Sequence, residues 1–253
     1  VSGGSVQSSV ASNGVCTIEF SHPASNSLPG KLLRELATTI TRCGEDADSS
    51  VIVLRSAGDR AFCAGASFDE LIAIETAGQG LEFFSGFALV INAMRTCPKL
   101  IIGRVQGKAV GGGVGLASAV DYCLATEHAS VKLSELAVGI GPFVVGPAVE
   151  RKIGTSAMSQ LAIDASSWRS AQWAAGHGLF AEVYPSVEEL DAGVAALADR
   201  LAESNPEAMR ELKTIFWAGT EDWDRLLSER AAISGRLVLS AFTRNAIAQF
   251  KAR

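Results

Sequence analysis

Val105-Gln-Gly-Lys-Ala-Val-Gly-Gly-Gly-Val-Gly-Leu116 is the stretch on which the fold turns. Ahead of it, Leu100–Val105 is apolar and β-branched, the pattern of a buried strand. Behind it, Val114–Val120 is apolar almost throughout and reads as a buried helix. A strand that runs through small residues straight into a helix is half of a crossover between parallel strands. Glycine at that turn lets a ligand come close to the main chain. The helix start adds unpaired N–H groups and a partial positive charge.

A second segment upstream has the same form. Arg60-Ala-Phe-Cys-Ala-Gly-Ala-Ser-Phe-Asp69 follows the short strand Val51–Arg55 and holds a small-residue loop, Cys63–Ala66. It leads into a helix start at Ser67–Ile74, where Asp69 and Glu70 suit the helix dipole. Two such turns that aim N–H groups at one point would make an oxyanion hole. Glycine-rich turns also serve close packing of strand on helix, so these loops alone leave both readings open. Nucleotide motifs do not fit: Gly111–Gly113 does not match G-x-G-x-x-G, and no Gly-Lys-Ser/Thr follows.

Further outward, Val15–Phe20 reads as a strand, and the loop Ser21–Pro29 after it carries two prolines. Gly30–Cys43 has Leu32, Leu33, Leu36 and Ile40 at helical spacing, and Leu81–Cys97 is a long helical candidate. Asp121–Thr126 and Ser130–Leu133 read as strands, Gly141–Gly146 as a loop and Pro147–Ile153 as a short helix. Val187–Ser204, Pro206–Trp217, Asp222–Val238 and Ala241–Phe250 read as helices. Strands therefore alternate with helices to about residue 133, which implies an α/β fold with largely parallel pairing. We expect a flexible leader over residues 1–10, an α/β core over 11–187 and a helical C-terminal section over 188–253.

Composition narrows the function classes. The chain has 253 residues, about half of them apolar, enough for a sizeable core without staples. Its net charge of -5 argues against a nucleic-acid partner, which wants a basic face. Five cysteines without a CxxC spacing read as reduced, buried thiols. His22, His128 and His177 are isolated, so no zinc site is expected. No apolar run approaches the roughly 20 residues of a membrane span, and the start of the chain lacks the pattern of a signal peptide. The expected location is cytoplasmic, with no membrane partner.

Three blocks resemble a known family. Ala61-Phe-Cys-Ala-Gly-Ala66, Gly107-Lys-Ala-Val-Gly-Gly-Gly-Val-Gly-Leu116 and Leu133-Ser-Glu-Leu-Ala-Val-Gly-Ile140 are similar, in order and spacing, to the signature blocks of the enoyl-CoA hydratase/isomerase (crotonase) family. The resemblance runs from about Val15 to Lys213 and takes in Ser27-Leu-Pro29 and Pro206-Glu-Ala208. It implies a crotonase-like fold: a superhelical core of ββα-type units with parallel strands, followed by helices. It implies an acyl-CoA thioester as substrate and no separate cofactor, since coenzyme A is part of the substrate. The backbone N–H groups of Ala66 and Gly112 would form the oxyanion hole, with Ala64 and Ala66 along the adenine side of the CoA site. Gly115 and Phe143 would line the acyl pocket. A homotrimer or homohexamer is implied too, with C-terminal helices that cover neighbouring sites.

The count of acids points to the reaction. Family hydratases usually carry one glutamate two residues after the glycine triplet and another in the third block; here those positions hold Gly115 and Glu135. A single carboxylate suffices to move a double bond from C3–C4 to C2–C3. Dienoyl isomerases of the family have an acid where this chain has Phe143. Glu135 is therefore expected to be the sole general acid/base, its pKa raised by an apolar wall over Gly139–Val145. Hydration of a 2-enoyl-CoA or of 3-methylglutaconyl-CoA is the alternative, and decarboxylation of a malonyl- or glutaconyl-type thioester is a third. A reading of another class is a non-catalytic acyl-CoA-binding protein.

Other charged residues get smaller roles. Asp121 is expected to be structural. Asp69 stands where many relatives carry a lysine near the CoA phosphates, so Lys108, Arg104 or a C-terminal cation would substitute. His22 reads as a solvated loop residue. Trp168, Trp173, Trp217 and Trp223 read as packing or subunit contacts.

Overall fold

The computed structural model describes residues 3–251. Its elements, in chain order, begin with β1 Ser5–Val10, β2 Val15–Ser21, α1 Gly30–Glu45, β3 Val51–Ser56, β4 Ala61–Cys63, α2 Phe68–Ile72 and α3 Ala77–Thr96. Next come β5 Ile101–Val105, β6 Lys108–Val110, α4 Gly112–Ala119, β7 Tyr122–Thr126, β8 Ser130–Lys132 and a 3-10 turn at Leu136–Val138. The chain continues through α5 Gly146–Ile163, β9 Arg169–Ser170, α6 Ala171–Gly176 and β10 Glu182–Tyr184. Four helices follow: α7 Val187–Ala202, α8 Pro206–Phe216, α9 Trp223–Leu237 and α10 Ala241–Lys251.

Strands divide between two sheets. A large one has the order β1-β2-β3-β5-β7-β10, and a small one the order β4-β6-β8-β9. Pairing is parallel except at the edges, where β1 lies antiparallel to β2 and β9 antiparallel to β8. The chain steps from large sheet to small sheet three times, from β3 to β4, from β5 to β6 and from β7 to β8. That is the ββα repeat the family resemblance implied.

β3 explains the layering. Val51, Ile52, Val53 and Leu54 are all buried, because successive side chains point to opposite faces and both faces are covered. Ile52 and Leu54 join Leu33, Leu36 and Ile40 of α1 in the main core. Val51 and Val53 meet Leu190, Val194 and Ala198 of α7 on the other side. α7 thus covers the second face of the large sheet, while Trp217, Trp223, Leu227 and Ala231 further along the chain join the main core.

Four differences from expectation have plain causes. The stretch expected to be a flexible leader forms β1 from Ser5 onward, paired with β2 over six residues; its polar composition fits an edge strand. Residues 1–2 of that stretch lie outside the described residues. β9 and β10 were not anticipated, being two and three residues long, too short to carry a period. The short helix expected over Pro147–Ile153 is the first part of α5; at Gly154, φ 76 and ψ 160, the helix breaks at a kink, and a second helical segment that was not expected continues to Ile163. α3 starts earlier than its apolar pattern, at a capping box in which Thr76 and Gln79 satisfy each other's N–H groups. No helix among the described residues is long and apolar enough to cross a membrane.

Candidate active site

Three loops leave the C-terminal end of the small sheet's parallel strands, one each after β4, β6 and β8. These strands are parallel neighbours, so their C-terminal ends place Ala64–Ala66, Gly111–Gly112 and Leu133–Glu135 side by side. Ligands of open α/β sheets bind at such ends.

The first loop is held from below. Asn26, at φ 56, donates from Nδ2 to the carbonyls of Ala57 (2.8 Å) and Ala61 (2.9 Å). Gln106 Nε2 donates to Ser56 Oγ at 2.9 Å and to the Ala61 carbonyl at 3.2 Å. Further on, the Ala64 N–H donates to the Ser25 carbonyl (3.1 Å), and the Gly65 carbonyl accepts from the Leu28 N–H (2.8 Å). Gly65 turns the chain at φ +90, where a Cβ would also press on the Val110 carbonyl at 2.9 Å. The next N–H, that of Ala66, has no acceptor among the described residues.

The second loop bends at Gly111, φ 52, whose N–H donates to the Lys132 carbonyl at 2.9 Å. Gly112 then opens α4, and its N–H has no acceptor among the described residues, as befits a first helical turn. A Cβ on Gly65 would stand 3.5 Å from the Gly112 nitrogen, so the two unpaired donors belong to adjoining stretches of backbone. Gly112 itself has no room for a side chain, since a Cβ would enter the Phe87 ring.

The third loop supplies the acid. Glu135 starts the 3-10 turn, and its Oε1 lies 2.9 Å from where a Gly111 Cβ would be. Oε2 is buried with no hydrogen-bond partner among the described residues. Burial pushes the carboxyl pKa up to about 7, opposed by the residue's own backbone N–H. Part of the residue stays accessible, but the enclosed oxygen governs its titration.

In front of these groups lies a cavity of about 630 Å³, a size that suits a small-molecule ligand. Phe68, Leu71, Phe84 and Phe87 from α2 and α3 line it together with Ile140, Phe143 and Val144. Ala246 and Gln249 of α10 roof the cavity within the same chain, so the C-terminal helix covers its own site here rather than only a neighbour's.

Most of the expected residues converge. Ala64, Ala66, Gly112, Glu135 and Phe143 all line the cavity. Gly115 does not: it lies a turn deeper in α4, where a Cβ would stand 2.6 Å from Val145 Cγ1. Nor does Arg104, which is buried and makes a bidentate pair with Asp191 of α7 at 2.7 and 3.1 Å. His22 belongs to the loop before α1, where its Nδ1 is 3.3 Å from the Ala24 N–H and 3.2 Å from Ser27 Oγ. Trp217 and Trp223 pack edge to face, as expected, whereas Trp168 is half exposed and lines the cavity. Asn26, Gln106, Lys132 and Gln249 went unread, because a lone polar residue has no period. Only the Pro-rich loop around Asn26 gave a local hint.

Comparison with known proteins agrees with this geometry. Residues 10–246 match the family model described as enoyl-CoA hydratase/isomerase. The chain belongs to the enoyl-CoA hydratase/isomerase family.

Relatives in that family include the carnitinyl-CoA dehydratase of Proteus mirabilis, 28% identical over 208 residues, which are 82% of this chain and 78% of the relative. An enoyl-CoA hydratase structure from Bacillus anthracis is 28% identical with a TM-score of 0.78, covering 98% of this chain and 96% of its own. The enoyl-CoA hydratase of Bacillus halodurans, 19% identical, shares the fold with a TM-score of 0.88, covering 96% of this chain and 99% of its own. The chain is accordingly an acyl-CoA enzyme of the enoyl-CoA hydratase/isomerase family with the crotonase fold.

Proposed function

We propose that this family member moves a double bond from C3–C4 to C2–C3 of an enoyl-CoA, with Glu135 as its single acid/base. The thioester oxygen sits between the N–H groups of Ala66 and Gly112. Glu135, as carboxylate, takes a proton from C2. The electron pair spreads over a dienolate whose negative charge the two N–H groups stabilise; a lost donor of this kind costs roughly 3–4 kcal/mol of transition-state energy. The carboxylic acid then returns the proton to C4, so atoms and charge balance. A pKa of about 7 leaves the group able both to accept and to return the proton near neutrality.

One observation carries this reading: Glu135 is the only carboxylate that lines the cavity among the described residues. Where a second acid would project from Gly115, Val145 fills the space. A charged group to hold and activate water therefore has no place there. Hydration remains the second reading, favoured by the name of the dehydratase relative.

The test is a panel. 3-Enoyl-CoA isomerisation is expected to outpace 2-enoyl-CoA and 3-methylglutaconyl-CoA hydration, and butanoyl-CoA should exchange its C2 protons in D2O. Faster hydration would overturn the single-acid mechanism. Tight binding without C2 exchange would instead make the protein a non-catalytic acyl-CoA binder.

A further inference from the structure

Lys108 on β6 and Lys132 on β8 project from the same face of the small sheet, since the buried Ala109 and Val131 between them point the other way. Trp168, just ahead of β9, stands beside them at the sheet edge. Its indole is 41% exposed, with Lys132 Nζ 4.7 Å and Lys108 Nζ 5.1 Å from the ring centroid. Lys132 and Trp168 both line the catalytic cavity.

These two ammoniums lack a counter-charge among the described residues. No carboxylate among the described residues lies within ion-pair distance of either, although Arg104, Arg169 and Lys213 each have one. Lys132 makes no ion pair with Glu135, three residues further on, and its ammonium lies over the indole. Two cations gathered on one ring, one of them lining a largely apolar cavity, form a receptor for an anion.

We propose that the Lys132–Trp168–Lys108 corner binds an oxyanion borne by the acyl chain, a carboxylate distal to the thioester. The inference rests on the acyl-CoA reading of this cavity and names its substrate class. Position separates it from a site for the CoA phosphates. Lys132 stands three residues before Glu135, so their Cα atoms are at most roughly 10 Å apart, within the span of a short acyl group. The phosphates lie a whole pantetheine arm away from the carbonyl that Ala66 and Gly112 hold. Moreover, the loop with Ala64, along which coenzyme A is read to lie, leaves β4, at the opposite edge of the small sheet from β9.

Titration calorimetry on the whole protein tests this with glutaryl-CoA and pentanoyl-CoA, saturated thioesters of equal chain length. Glutaryl-CoA should bind about tenfold more tightly, the worth of one charge-assisted contact. Lys132→Gln should abolish the preference and leave pentanoyl-CoA affinity intact, and Lys108→Gln should shrink it. Pantetheine thioesters of the same acids, which lack the nucleotide phosphates, should keep the wild-type ratio. Equal affinities in the wild type would overturn the inference. So would a Lys132→Gln variant that weakens both CoA thioesters alike but neither pantetheine thioester, because the lysines would then serve the phosphates. Binding is read without turnover, so the inference stands or falls apart from the isomerase mechanism. If neither thioester binds, both fail together.

Discussion

Asp121, just before β7, and Glu135, just after β8, are both enclosed carboxylates. Asp121 accepts from the Ile101 N–H at 2.7 Å, from Lys213 Nζ at 2.7 Å and from Trp217 Nε1 at 3.0 Å. Its partner Lys213 is equally buried, so the ion pair pins α8 to the base of the large sheet. Glu135 has the opposite surroundings: Oε2 has no partner among the described residues, and phenylalanines and valines share its cavity. A buried charge with every bond satisfied is a structural element. A buried acid left unpaired sits at higher free energy when ionised, and that is the condition for proton transfer near pH 7.

Replacing each acid puts this contrast at risk. Glu135→Gln keeps the shape and removes the proton acceptor, and it should lower C2 exchange about a thousandfold, read by mass spectrometry in D2O. Turnover near the wild-type rate would break the comparison outright. Asp121→Ala leaves the Lys213 ammonium buried and unpaired. It should cost about 3–5 kcal/mol in urea denaturation while the folded fraction keeps its exchange activity. A loss under about 1 kcal/mol would mean that the ion pair pins nothing.

The smallest effect sharpens the contrast through pH. Burial pushes the Glu135 carboxyl from its ordinary value of 4.5 up to about 7 in the fold. Between those values the native state holds a proton that the unfolded chain has lost, so stability falls as pH rises. Above about pH 7 the cost is complete, up to roughly 3 kcal/mol. Glu135→Gln should therefore be more stable than the wild type at pH 8, and the gap should close as pH falls toward 4.5. Melting curves across this range check the sign; a variant less stable at pH 8 would refute the unpaired-acid account.

Much of this contrast was legible in the chain. The glycine-rich turns, the strand periods and the Glu135 block are local signals, each contained within about a dozen residues. The departure at Gly115 was visible too, but not Val145, which occupies the space thirty positions away. The structural role of Asp121 was anticipated, whereas its bond to Trp217, from a helix far along the chain, was not. β1 escaped because an edge strand can be polar, and β9 and β10 because pairing rather than composition defines them.

Sequence alone determined the longer strands and helices of the alternating core and of the C-terminal section, the two glycine-bearing turns, and the number of acids in the signature blocks. These follow from residue-by-residue preferences, since φ, hydrophobic period and helix starts are settled by neighbours along the chain. Tertiary structure decided which carboxylate is silenced by an ion pair and which stays unpaired. It also decided that α7 covers the second face of the large sheet, that α10 roofs its own site and that two lysines share one indole. Burial and charge pairing depend on contacts between residues scores of positions apart, which only the packed chain brings together.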